Sequence, residues 1–367
     1  MSGGRVLIAG VSTRAAAESA ARAGFDVTAI DAFGDLDQHP RVDARSLPGS
    51  FTARAAVWAV ADVECDAVAY LAPFENHPAA VGVLATNRML WGNSPDVLTR
   101  VRDPVVVAQM LRARGLAAPS VALGATKGGE WLLKPLASGG GFRIRRWGAG
   151  DAIPRGCYLQ EFVDGAPASV VFVAAGGRAV SLGVLRQLIG DNAFGASGFQ
   201  YCGNILDLSI DEALAGRAAD LARTAAEAFG LVGVNGIDFV ACEGIPSAVE
   251  INPRWCASME LVERAYGLSV FGAHAAACMD GSLPEFDVAR ARHTARTAFG
   301  KAIVFARENV TALAVDSDHV RDVPRPRSRI RAGRPVCSVF AEATDADTCY
   351  AALVQRAARV YENLRVC

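Results

Sequence analysis

Three oxygen-bearing side chains converge where the chain reads GIDFVACEGIPSAVEINPR, Gly236 to Arg254. If the apolar runs 235–241 and 247–253 pair as a hairpin around a loop centred on Gly244, Asp238 stands opposite Glu250, and the two-residue strand period puts Asn252 on the same face. Two facing carboxylates repel and are costly to desolvate, and a cation between them relieves both. Oxygen donors without Cys or His select a hard ion, Mg²⁺ or Mn²⁺, with water and phosphate oxygens completing the octahedron. Arg254, just past the strand end, would reach charge that develops at a reacting centre. The bland alternative is a solvated hairpin face with an incidental acid pair, but Phe239, Val249 and Ile251 mark these strands as core.

A second stretch, WLLKPLASGGGFRIRRW, offers an anion site. A strand from Trp131 to Pro135 delivers Lys134, the run Ser138, Gly139, Gly140, Gly141 forms a turn, and FRIRRW returns as a strand. Glycines let backbone N–H groups approach an anion without Cβ obstruction, and a nearby ammonium adds a point charge. The pattern is not a Walker A loop, and the same run would also serve in an ordinary hairpin. Of the 37 basic residues only Lys127, Lys134 and Lys301 are lysine, which gives weight to each, although genomic base composition would produce the same bias.

Composition narrows the classes. With 367 residues, two or three domains are expected. A net charge of −1 supplies no argument for nucleic acid or an anionic membrane. No long apolar run or leader-like N-terminus is visible, so a soluble cytoplasmic protein is expected. Nine scattered Cys without a C-x-x-C pair speak against a disulfide framework or zinc site, and five dispersed His leave little for a Ser-His-Asp arrangement.

The elements that must position these groups follow from the pattern. RVLIAGVSTRAAAESAARAGFDVTAID is a β-α-β unit. Asp31 lies about twenty residues beyond Gly10, yet the turn GVSTRA lacks the second and third glycines of a dinucleotide site, which disfavours a nicotinamide cofactor. The pattern continues through the strand CDAVAYLAP, the polar turn FENHP and a strand-like piece to a boundary at Ser94-Pro95. The helix PVVVAQMLRARG follows, then short strands from Val121 with turns such as TKGGE. YLQEFVDG ends that region, Ser209 and Glu212 suggest a capping box for a long helix that stops at Gly230, and the C-terminal DADTCYAALVQRAARVYENL reads as a surface helix that could pack internally or against a second subunit.

Taken in order, Lys134 to Gly141, LQEFVDG, Asp238 and EINPR resemble the ATP-grasp superfamily over roughly Arg5 to Ala341. DAFGDLD, LRQLIG, FQYCGNI and GRPVCSVFA resemble, more narrowly, its predicted carboligase group related to biotin carboxylase, a branch of which, tyramine–glutamate ligase, works in methanofuran biosynthesis. The resemblance implies an α/β fold of mixed α+β character: a doubly wound pre-ATP-grasp domain over 1–94, a helical connector over 95–120, a β-rich lid over 121–165, and an ATP-grasp core with C-terminal domain over 166–367. It implies that Lys134 contacts ATP, that Ser138 to Gly141 close over the phosphates, that Gln160, Glu161, Phe162 and Val163 meet adenine, and that Asp164 meets ribose. Asp238, Glu250 and Asn252 would hold Mg²⁺, with Arg254 and Arg186 stabilising the transferred phosphoryl. Many relatives carry a further Lys before the lid. This chain reads RVRDPVVVAQ there, and Arg102, the cation available, is not equivalent to Lys.

The implied reaction is ATP-dependent joining of a carboxylate, for which glutamate is expected, to an amine such as tyramine, tyrosine or a furan-cofactor precursor, through an acyl phosphate. Two other readings stand beside it: a biotin-carboxylase-like enzyme activating bicarbonate, against which no biotin-attachment segment is visible, and a protein that binds ATP without turnover. DNAFGASGFQ is expected to contribute to the substrate pocket by its position.

Overall fold

The computed structural model describes residues 3–47, 51–124, 126, 128–148, 150–312 and 318–366; Lys127, in the turn TKGGE, lies outside them. The chain begins with five parallel strands, β1 (Arg5–Ala9), β2 (Asp26–Asp31), β3 (Val42–Ser46), β4 (Ala67–Tyr70) and β5 (Met89–Trp91), in the order β3-β2-β1-β4-β5. Val6 and Ile8 of β1 face helix α1 (Arg14–Arg22), while Leu7 and Ala9 face α2 (Ala53–Ala59) and α3 (Pro78–Leu84), so the sheet is covered on both sides. That is why β1 is apolar at four consecutive positions rather than alternating. Pro78, the last residue of the turn FENHP, opens the first turn of α3, and the strand-like piece expected before WGNSP is the short strand β5. The Asp31 carboxylate accepts from Thr13 Oγ1 at 3.0 Å and from the backbone N–H groups of Phe33 and Gly34 at 3.0 and 2.9 Å, so it braces its own loop.

Two helices lead away from this sheet. Ser94 caps α4 (Pro95–Val101), Asp103 caps α5 (Pro104–Ala113), and Arg102 stands at the joint between them. The lid is a four-stranded antiparallel sheet of β6 (Val121–Ala122), β7 (Trp131–Pro135), β8 (Arg145–Trp147) and β9 (Cys157–Glu161), ordered β6-β9-β7-β8. The returning strand is shorter than FRIRRW suggests. Arg143 has φ +64° and Ile144 N–H donates to Gly141 O at 3.2 Å, which keeps 142–144 in a turn.

The largest sheet is antiparallel throughout. It contains β10 (Ala166–Ala175), β11 (Arg178–Ile189), β12 (Tyr201–Leu206), β13 (Gly233–Cys242), β14 (Ile245–Asn252), β15 (Ala298–Phe305), β17 (Val320–Arg321) and β19 (Pro335–Ala343), ordered β14-β13-β10-β11-β12-β15-β19-β17. β16 (Val310–Ala312), β18 (Arg329–Ile330) and β20 (Leu364–Val366) make a small separate sheet. Helices α6 (Glu212–Phe229) and α10 (Ala346–Glu362) cover one face of the large sheet; α7 (Met259–Tyr266) and α8 (Val270–Met279) cover part of the other, where α8 also meets α1. A short exposed helix, α9 (Val288–Thr294), links them to β15.

The start of α6 differs from the expected capping box. Asp211, not Ser209, caps the helix by accepting from Ala213 N–H at 2.9 Å, while Ser209 turns back to Asp207. Gly230 ends it in the left-handed conformation, φ +67°, as expected. Helix α10 packs internally: a Cβ placed on Gly300 of β15 would lie 2.7 Å from Cys349 Sγ and 2.8 Å from Leu353 Cδ1, so the helix sits tight against the sheet. Among the described residues no helix is long and apolar enough to cross a membrane. Because Leu353 is fully buried, Leu353→Ala is expected to cost about 2–5 kcal/mol in urea unfolding. A helix whose main role were to meet a second subunit would show little change in the stability of the isolated chain.

Candidate functional site

The hairpin β13–β14 builds the centre. Its turn is the dipeptide Glu243-Gly244, with φ +50° and +74°, a tight reversal that suits the twist of the strands. Counting back from that turn, Phe239 pairs with Ala248, yet Asp238 pairs with Glu250, because Val249 is an extra residue in a bulge. The register at Asp238 and Glu250 is the one read from the sequence, but the turn is not centred on Gly244; the bulge makes up the difference. It also turns the Val249 carbonyl toward the lid, where it accepts from Gln160 Nε2 at 3.1 Å and Lys134 Nζ at 3.5 Å.

The acid pair is held by a continuous network. Asp238 accepts from Gln187 Nε2 at 2.8 Å and from Asn252 Nδ2 at 2.9 Å. Asn252 Oδ1 accepts from Arg254 Nη2 at 3.1 Å, and Arg254 Nε donates to Glu75 at 2.8 Å. Glu250 accepts from Arg102 Nη1 at 2.6 Å. Burial, and then the charge of Glu250, push the Asp238 carboxyl up to about 6. Burial also works against ionised Glu250, but Arg102 and then Lys134 outweigh it and hold that carboxyl below its usual value. Two carboxylates and one amide, all hydrogen-bonded but with oxygen lone pairs left over, fit a hard cation. Among the described residues no cluster of three or more His, Cys, Asp and Glu would hold a metal by itself, so phosphate or water oxygens would have to complete the sphere.

Over this floor lies a cleft of about 1490 Å³ including its open mouth. One end is lined by Leu132, Gln160, Glu161, Phe162, Val163 and Val240, the other by Gln187, Ile189, Phe199, Tyr201, Cys256 and Ser258. Lys134, with Nζ 2.9 Å from Gln160 Oε1, and Glu250 separate this cleft from a smaller crevice beside Ser138, Gly139 and Arg102. The glycine loop is docked. Ser138 O accepts from Asn76 Nδ2 and Arg102 Nη2, both at 3.3 Å, and Gly140 O accepts from Tyr201 N–H at 3.0 Å. Gly141 has φ +74° and a Cβ there would lie 1.8 Å from Phe199 O, so glycine is required for this approach.

Two expected site residues fall outside. Arg186 lies on the opposite face of β11 from Gln187, half exposed, 3.7 Å from Asp347 of α10, and does not line the cleft. Strand alternation is the cause: Leu188 and Val184 on its face pack toward α10 and α6, and Gln187 takes the inward position. Asp164 is exposed at the turn after β9 and likewise does not line the cleft. Glu161 lines it, but its carboxylate accepts from Ser120 N–H at 2.9 Å, and Phe162 is covered by the Arg146 guanidinium, 3.4 Å from the ring centroid. In DNAFGASGFQ only Gly198 and Phe199 reach the cleft, while Asp191 accepts from the Tyr350 hydroxyl.

Sequence reasoning missed Gln187, Glu75 and Asn76. Gln187 could have been found from alternation along β11; the other two come from the FENHP turn, nearly two hundred residues from EINPR, and only tertiary packing brings them in. Arg102, whose role the sequence left open, engages Glu250, the Ile251 carbonyl, Asn76 and Ser138.

Residues 101–258, the span that holds this hairpin, the glycine loop and most of the cleft, match the ATP-grasp domain family. The chain as a whole has the fold of biotin carboxylase. It superposes on biotin carboxylase from Campylobacter jejuni in complex with a β,γ-ATP compound with a TM-score of 0.75, 14% identity, 99% of this chain and 92% of the other covered. The biotin carboxylase domain of Hydrogenobacter thermophilus 2-oxoglutarate carboxylase, in complex with MgADP, ADP and bicarbonate, gives a TM-score of 0.73 at 15% identity, covering 99% and 90%. L-amino acid ligase from Bacillus licheniformis gives 0.72 at 16% identity, covering 100% and 99%. In sequence, an uncharacterized protein of Methanocaldococcus jannaschii is 28% identical over 116 residues; the match spans 32% of this chain and 28% of that protein.

The raised Asp238 carboxyl sets a pH dependence. Between its usual value of 3.8 and about 6 the folded chain holds this proton more tightly than the unfolded one, so the stability it contributes is present at low pH and lost as pH rises through about 6. The melting temperature of Asp238→Asn relative to wild type should therefore shift in favour of the variant between pH 4 and 8. A constant difference across that range would contradict the assignment.

Proposed function

We propose that the chain is an ATP-dependent carboxylate–amine ligase working through an acyl phosphate. The observation that carries this reading is the Asp238–Glu250 pair on a buried floor, beneath a glycine loop and flanked by Lys134, Arg102 and Arg254. Adenine would sit at the end of the cleft lined by Leu132, Val163 and Val240, against the backbone of Gln160 to Val163. Phosphates would extend past Lys134 under Gly139 to Gly141 toward the acid pair. Mg²⁺, held by Asp238, Glu250 and Asn252, would supply neutralisation of phosphate charge.

In this reading a substrate carboxylate oxygen attacks the γ-phosphorus and the bond to ADP breaks. The amine nitrogen then attacks the acyl carbon, inorganic phosphate leaves, and the amine loses its proton to phosphate or water. Arg254 faces the charge that passes to the leaving phosphate, and burial beside Glu75 keeps its guanidinium protonated: burial opposes the charge, but the carboxylate raises its pKa above the usual value. The lid would keep water from the acyl phosphate. No protein nucleophile is needed. Cys256, in the cleft, is a poor one, since burial pushes its thiol up to about 12. Glutamate as the acid and tyramine, tyrosine or a related amine of methanofuran- or methylofuran-type cofactor biosynthesis as acceptor are supported by the motif resemblance. The half of the cleft formed by Ile189, Phe199, Tyr201 and Cys256 is apolar enough for an aromatic body.

The test is ADP release from Mg²⁺-ATP with L-glutamate and a panel of amines that includes tyramine and tyrosine. Amine-dependent ADP with the matching amide by mass spectrometry is expected, and Glu250→Gln should lower the rate by roughly 10²–10³-fold. Release that depends on bicarbonate and free biotin would favour carboxylation instead. Tight ATP binding without turnover would favour a non-catalytic protein, and absence of ATP binding would reject the assignment.

A further inference from the structure

We infer that the turn Phe74–Asn76 of the N-terminal sheet positions both site arginines and latches the lid: Glu75 orients Arg254, and Asn76 holds Arg102 together with the glycine loop. This inference rests on the nucleotide-ligase reading of the site.

Three consecutive side chains of the turn do different work. Phe74 is fully buried in the core beneath α2 and α3, and its N–H donates to Leu71 O at 3.0 Å, which fixes the turn to the end of β4. Glu75 is 1% exposed, a charge that burial would penalise heavily if it were unpaired. Its Oε1 takes the Arg254 Nε–H, and among the described residues its Oε2 has no partner. The remaining nitrogens of Arg254 go to Asn252 Oδ1 and, at 3.0 Å, to Trp255 O. Each guanidinium nitrogen thereby has an oxygen anchor, one from the turn after β4 and the others from Asn252 of β14 and the segment just past it. The joint is reinforced at the same level, where the Tyr70 hydroxyl lies 3.0 Å from Asn93 O and 3.1 Å from Pro253 O, the residue before Arg254.

Asn76 faces the other way. Its Oδ1 accepts from Arg102 Nε at 3.1 Å while its Nδ2 donates to Ser138 O. Arg102 in turn reaches Glu250 and the same Ser138 carbonyl. One carbonyl of the lid thus accepts from two donors outside the lid, and one of those donors, Arg102, also donates to the acid proposed to bind the cation. Docking of the glycine loop and the orientation of the two arginines are coupled through two adjacent residues that do not themselves line the cleft. Glu75 and Asn76 are positioning residues in this account, because they act through Arg254 and Arg102.

Two measurements separate positioning from simple bracing, and neither needs the substrate pair. In the first, the affinity of the whole protein for Mg²⁺-ADP and for Mg²⁺ with a non-hydrolysable ATP analogue is compared in wild type and Glu75→Gln, which keeps shape and an acceptor but removes the charge. The account expects ADP affinity within about threefold of wild type and analogue affinity lowered at least tenfold. Equal losses for both ligands, or none for either, would overturn the Glu75 role. If Glu75→Gln fails to fold, Glu75→Asp, with charge kept and reach shortened, is held to the same criterion.

In the second, hydrogen exchange over residues 136–144 is followed without nucleotide. Asn76→Ala should speed exchange of that loop at least tenfold while the melting temperature moves by a few degrees at most. Unchanged exchange would overturn the latch. If wild type binds neither nucleotide, the ligase reading itself has failed and the Glu75 role falls with it. The exchange result then still decides the latch alone.

Discussion

Asp238 and Glu250 face each other across one rung of an antiparallel ladder, part-buried on the floor of the cleft. Much of the surrounding structure makes that juxtaposition tolerable. Gln187 and Asn252 donate to one carboxylate, Arg102 to the other, and the asymmetry leaves Asp238 the easier of the two to protonate and Glu250 firmly ionised. Removing either acid or its partner would leave buried polar groups unmatched, which costs more than the pair contributes when intact. In the proposed reading, a cation and the phosphates that accompany it would relieve the repulsion between the two acids on the floor of this cleft.

The site also depends on the N-terminal sheet arriving at a fixed angle, and a second charged cluster supplies that. Arg14, fully buried, donates to both Glu260 oxygens at 2.9 and 3.0 Å, to Asp322 at 2.7 Å and to Glu18 at 2.9 Å, and Lys301 Nζ lies 2.8 Å from Glu260. The cluster joins α1, α7, β15 and the residue just past β17, segments widely separated in the chain. Burial opposes ionised Glu260 and Asp322, but the two cations hold both carboxyls below their usual values. Nearby Asp35 forms no ion pair among the described residues, and burial followed by the Asp322 charge pushes it up to about 8 against the opposing pull of Arg14. With the sheet anchored there, the Phe74–Asn76 turn meets Arg102 and Arg254 from the far side of the cleft.

Legibility followed the range of the interaction. The β-α-β start, the hairpin and the opposition of Asp238 to Glu250 rest on neighbours in sequence and on strand period, and the structure reproduces that opposition although the bulge at Val249, which makes it work with a two-residue turn, left no sequence signal. Arg186 shows the limit of motif reasoning: the resemblance named a residue on the face of β11 turned away from the cleft, and only the packing of Leu188 and Val184 decides which of two adjacent residues faces inward. The scarcity of lysine singled out Lys134, which lines the cleft, and offered nothing to distinguish it from Lys301, which sits in the anchoring cluster away from the cleft. Glu75 and Asn76 carried no local pattern at all, since their partners lie in other elements. The domain limits themselves could be read only as composition shifts.

The central claim is that the opposed acids hold a divalent ion together with nucleotide phosphates. It is tested most directly by crystals grown with Mn²⁺ and ADP and measured at a wavelength where manganese scatters anomalously. The account predicts a manganese peak between Asp238 and Glu250, with the ADP phosphates beneath Gly139 to Gly141 and adenine beside Val163. Nucleotide bound elsewhere, or bound in this cleft with no metal at the acid pair, would contradict it.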